Sequence, residues 1–94
     1  MAKIEVRWTK QALEDLESAR EYVLDDNPSL LDSTIQQVLM VIQQIINFPD
    51  SGRVGRVQST KELILTTIRF IIVYRKNKNI VEILALLYQS RKWP

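Results

Sequence analysis

Ninety-four residues, of which 46% are apolar and 26% charged, suffice for one globular domain over 1–94 and exclude both a second domain and wholesale disorder. Cys and His are both absent, which excludes disulfides, Cys nucleophiles, thiolate or imidazole metal sites and the usual base of a nucleophilic triad; neither a metal nor a cofactor is expected. The net charge of +2 hides a split: four basic residues face nine acidic ones over 1–52 (−5), and nine face two over 53–94 (+7), a distribution suited to anionic partners or to internal charge pairing.

Lys3 to Trp8 alternates Ile4, Val6 and Trp8 with Lys3, Glu5 and Arg7, which predicts a strand with one wet face. Thr9 is placed to cap a following helix. In that helix Ala12, Leu16, Ala19 and Val23 form an apolar stripe widened by Leu13, while Glu14, Asp15, Glu17 and Glu21 fall on the other surfaces and its early acids suit the positive helix end. Asp25-Asp26-Asn27-Pro28 stops it, and Pro28 suits the first turn of a second helix.

Leu31, Ile35, Val38, Ile42 and Ile45 run as a stripe through the second helix, which ends before Pro49. Leu39, Val41 and Ile46 add apolar surface beyond one face, as expected if one face covers a sheet and another meets the first helix or a partner, or if the core is thick. The short connection predicts antiparallel neighbouring helices. Pro49-Asp50-Ser51-Gly52 is a turn, and Gly52 to Gly55 is too flexible for helix.

Three strands follow: Glu62 to Thr67, a central one over Phe70 to Tyr74, and Ile80 to Tyr88, the last two joined through Lys76-Asn77-Lys78-Asn79. The order β-α-α-β-β-β predicts an α+β fold, a helical hairpin packed on a small, mainly antiparallel sheet. No apolar stretch reaches membrane-spanning length, and Met1 to Glu5 turns at once to alternating charge, so a cytoplasmic location without membrane contact is expected.

Gly52-Arg53-Val54-Gly55-Arg56-Val57, followed by Thr60-Lys61-Glu62-Leu63-Ile64, resembles the GR-x-GR … T-R-E-L signature of the RelE/ParE toxin superfamily, with Lys61 where Arg is usual. Ala12 to Leu16, Arg20 to Tyr22, Ile71 to Arg75 and Ile83 to Pro94 extend the likeness over essentially the whole chain. The resemblance implies a growth-inhibiting toxin of a type II toxin–antitoxin system, held as a hetero-oligomer by a cognate antitoxin. Two target classes share that fold: ribosome-bound messenger RNA, which RelE-like members cut, and DNA gyrase, which ParE-like members bind without known catalysis.

RelE-like ribonucleases carry Arg three residues before the central-strand Tyr; three before Tyr74 stands Ile71, with Arg69 two residues earlier. The family's frequent His near Tyr88 is missing, and the chain given ends soon after Arg91, at Pro94. If the chain cuts RNA, the resemblance nominates Arg56, Lys61, Arg69, Tyr88 and Arg91. The ParE-like reading fits better and nominates Arg53, Arg56, Lys61, Arg91 and Trp93 for target contact. Structural alternatives stand beside these: Arg56 or Lys61 paired with Glu62, Glu82 or an acidic helix residue, Glu62 ordering cations, and Tyr74, Tyr88 and Trp93 packed in the core or at the sheet edge. A non-toxic module binding nucleic acid or protein stays open as a third class.

Overall fold

The computed structural model describes residues 3–65 and 70–88. In chain order they form β1 (Glu5–Trp8), α1 (Lys10–Asp26), a 3-10 turn (Pro28–Leu30), α2 (Leu31–Asn47), β2 (Arg53–Val54), β3 (Lys61–Leu65), β4 (Phe70–Asn77) and β5 (Ile80–Tyr88). The sheet order is β1-β5-β4-β3-β2, antiparallel except for the β1–β5 pair. The expected α+β layout of a helical hairpin on a mostly antiparallel sheet is therefore observed. One strand is additional: Arg53-Val54, read as a loose segment, pairs with Glu62 and Lys61 as the sheet's edge.

Thr9 performs the predicted cap and also closes β1 onto β5. Its hydroxyl oxygen accepts the Ala12 N–H at 3.1 Å, its own N–H donates to the Ile83 carbonyl at 3.1 Å, and its hydroxyl donates to the Leu84 carbonyl at 3.3 Å. Two expectations about α1 fail. Because the helix begins at Lys10, no acid lies in its first turn, and Glu14 and Asp15 fall beyond the reach of the helix-end charge. Asp15 is also not on a wet surface. It is buried, and its carboxylate accepts the Leu86 N–H of β5 at 3.1 Å and the Gln11 side-chain amide at 2.8 Å. β1 pairs with β5 only as far as Ile83, so Asp15 supplies an acceptor where the strand ladder has ended.

Pro28 opens the 3-10 turn rather than the second helix, and α2 continues directly from it. The β4–β5 turn is tighter than the sequence suggests: Asn77 pairs with Ile80, leaving Lys78 and Asn79 at the tip, with Lys78 at φ 57°. Side chains alternate across the sheet. One face carries Leu65, Phe70, Ile72, Tyr74, Val81, Ile83 and Leu86, which pack with Ala12, Ala19, Val38 and Ile45 of the helices. On the other face Ile71, Val73, Ala85 and Leu87 form a second buried apolar strip.

Candidate functional site

The segment linking α2 to β3 turns the signature residues into one locked arm. Tyr74 anchors its start. Fully buried at the end of the helix-side core, it donates its hydroxyl to the Pro49 carbonyl at 2.7 Å and accepts the Gly52 N–H at 3.0 Å. Burial, assisted by the negative charge of Asp50, holds the Tyr74 pKa above the ordinary tyrosine value, against hydrogen bonds from Gly52 and Ser51 that lower it. A Cβ on Gly52 would stand 2.6 Å from the Tyr74 hydroxyl, so glycine is required by close approach.

Thr60 closes the next stretch. Its hydroxyl donates to the Val57 carbonyl at 2.6 Å and its carbonyl accepts the Gly55 N–H at 2.9 Å, with Ser59 at φ 67° between them. A Cβ on Gly55 would lie 2.1 Å from the Thr60 hydroxyl oxygen. Both signature glycines thus serve contact with a buried side chain, where the sequence suggested only looseness.

Glu62 joins the two arginines. Its side chain is 2% exposed. One oxygen accepts from the Arg53 guanidinium at 3.1 Å; the other accepts the Arg56 backbone N–H at 3.0 Å and faces Arg56 Nε at 3.6 Å. Two guanidinium groups against one carboxylate leave a net positive charge, and both arginines keep substantial exposure, 53% and 37% of the side chain.

Lys61 is not part of this cluster. Strand alternation sends it to the opposite face from Glu62, opposite Tyr74 in the ladder, so the expected grouping of Arg53, Arg56 and Lys61 reduces to the two arginines. Ile71 occupies the helix-free face and is buried in its apolar strip. Arg69, Arg91 and Trp93 lie outside the described residues, as does the side chain of Tyr88, whose backbone pairs with Phe70. Glu82, offered as an alternative partner for the arm, instead binds Arg75 at 2.9 Å. Among the described residues no cluster of carboxylates suited to a metal occurs, and no helix is long and apolar enough to cross a membrane.

A second feature lies on the helix side, where sequence reading found surplus apolar residues but not their shape. α1 packs chiefly on β5 and α2 on β3, and the helices touch each other sparingly. Between them runs a groove of about 480 Å³ lined by Trp8, Leu13, Leu16, Ile35, Val38, Leu39 and Ile42 among others, with Glu17 and Arg20 also bordering it. Leu13, Ile35 and Leu39 are 53%, 45% and 58% exposed, a contiguous apolar surface of the kind that marks an interaction site.

Residues 6–93 match the family described as ParE toxin of type II toxin-antitoxin system, parDE. Y4kP of Sinorhizobium fredii is 34% identical over 94 residues, covering 100% of this chain and 97% of that protein. Among solved structures, a chain of the chromosomal ParDE TA system from P. aeruginosa superposes with a TM-score of 0.79 at 18% identity, covering 89% of this chain and 94% of that one. A chain of the E. coli DinJ-YafQ toxin-antitoxin complex gives 0.65 at 9% identity, covering 95% and 96%. The Staphylococcus aureus YoeB dimer gives 0.60 at 13%, covering 93% and 98%. These three likenesses establish the fold. The chain belongs to the ParE toxin family of type II toxin–antitoxin systems, within the RelE/ParE superfamily.

Proposed function

We propose that this toxin arrests growth by binding DNA gyrase directly, with Arg53 and Arg56 as the contact residues, and that a cognate antitoxin neutralises it by laying an amphipathic helix into the groove between α1 and α2. The observation carrying the target reading is the Arg53–Glu62–Arg56 cluster. Its cations are fixed at a surface arm and engaged by a carboxylate, which suits docking to a protein better than stabilising charge in an open cleavage centre. Buried Ile71 supports the same choice, because it stands where the ribonuclease pattern has its central arginine.

The groove supports the antitoxin reading. Its lining is apolar over several turns of α2, and Leu13, Ile35 and Leu39 offer the spaced contacts that a helix in a groove exploits. The deciding experiment runs purified toxin in gyrase supercoiling and cleavage-complex assays beside ribosome-dependent messenger-RNA cutting. Inhibition of gyrase is expected. RNA cutting with untouched gyrase would replace the target, and growth unaffected by folded protein would favour a non-toxic binding module.

A further inference from the structure

Arg53 and Arg56 are each held by Glu62 while their side chains stay 53% and 37% exposed. The geometry points to Glu62 as the positioning residue of the arm, an inference that rests on the contact role of the two arginines. A guanidinium has five N–H donors, and an arginine alone on a surface samples many rotamers. Glu62 engages one end of Arg53 through one oxygen and uses the other oxygen for the Arg56 backbone and Nε, so a single carboxylate orders both side chains and the chain between them.

The carboxylate does not move to suit its partners. It is 2% exposed, it stands opposite Val73 in the β3–β4 ladder, and the arm it grips is fixed at one end by Tyr74 and closed by Thr60. With one net positive charge left over two arginines that share one carboxylate, the arm suits a carboxylate of a protein surface more than a run of phosphates. Ordering the arginines before contact lowers the entropy lost on docking, which is the advantage of a preorganised anchor.

Glu62→Gln separates this role from ordinary packing. Glutamine keeps the shape but puts an NH2 donor in place of one oxygen, so it cannot reproduce the arrangement in which Arg53 and Arg56 bind different oxygens of Glu62. The full chain is compared as wild type, Glu62→Gln, Arg53→Ala/Arg56→Ala, and the triple variant. Melting and antitoxin binding report the fold, NMR amide exchange at Arg56 and guanidinium rotation at Arg53 report order, and the inducer level that halts growth reports potency. Glu62→Gln is expected to fold and bind antitoxin, to speed either exchange or rotation by about tenfold, and to weaken growth inhibition by about tenfold. The triple variant is expected to be no weaker than the double one, because Glu62 acts through the arginines.

Unchanged order at both arginines overturns the inference. So does a Glu62→Gln loss that adds to the double variant, or one that tracks reduced melting and antitoxin binding. If Glu62→Gln does not fold, Glu62→Asp, which keeps the charge but shortens the reach, enters the same comparison with the same expected order and potency losses. A double arginine variant as potent as wild type overturns the contact reading and this inference with it. Failure of the gyrase reading appears separately, as wild type that halts growth while supercoiling continues, and leaves the comparison valid.

Discussion

Leu39→Asp should separate neutralisation from toxicity. Leu39 borders the groove on α2 and is 58% exposed in the free chain, so removing it costs the isolated toxin little: about 0.5 kcal/mol from helix propensity and surface change. In the complex the same position would be covered. Burying the leucine fully would contribute about 1.5–3 kcal/mol, of which roughly half is still to be gained on docking. Aspartate forfeits that gain and adds the desolvation of a carboxylate too short to reach past the groove rim, for a combined penalty of about 3 kcal/mol. Antitoxin affinity should fall about a hundredfold. Titration calorimetry of the purified pair measures the loss, thermal melting confirms the fold, and co-expression tests rescue. The expected phenotype is a stable toxin that halts growth and is no longer silenced. Wild-type affinity for the antitoxin would refute the assignment of the groove.

Asp15→Leu leaves the buried Leu86 N–H without its acceptor and should destabilise the fold by about 1–3 kcal/mol in urea unfolding, whereas Asp15→Asn, which keeps a carbonyl oxygen, should lose less. Gly55→Ala drives a Cβ into the Thr60 hydroxyl, itself bound to the Val57 carbonyl, and should cost about 1–3 kcal/mol by the same measurement. Tyr74→Phe removes a donor to Pro49 and an acceptor for Gly52, for about 1–3 kcal/mol at neutral pH. Its pH signature follows from the raised Tyr74 pKa: stability from the neutral hydroxyl is fully present below the ordinary tyrosine value of about 10 and lost as pH climbs toward the higher folded value. Wild-type stability should therefore decline in that alkaline window more steeply than that of Tyr74→Phe, and parallel curves would contradict the assignment.

Periodic elements were legible in the sequence, and contacts across the fold were not. β5 has the limits its apolar run predicts, and Thr9 caps α1 as its position suggests, because both signals are local. Asp15 misled because a carboxylate amid Glu14 and Glu17 reads as solvated; the amide that buries it lies 71 positions away. β2 has two residues, too few for any alternation to appear. Gly52 and Gly55 were visible as a break in helical pattern, but the side chains that require them come from later in the chain, Tyr74 in β4 and Thr60 just before β3. The alternative in which Glu62 orders cations proved correct for Arg53 and Arg56, while Lys61 joined them in sequence and parted from them by the alternation of the strand.

That parting sharpens the meaning of the charge split. Among the described residues, cations of the positive half are divided between surfaces: Arg75 is matched to Glu82, Arg53 and Arg56 share Glu62, and Lys61 faces the helix side. Glu62 lies on the helix-free side with Val73, whereas the apolar groove lies between the helices on the other. On the proposed assignments, target contact and antitoxin binding use different surfaces, each with its own chemistry. If one surface served both, Leu39→Asp would abolish toxicity together with neutralisation. Separate surfaces predict that it keeps the first and loses the second, and that Arg53→Ala/Arg56→Ala does the reverse.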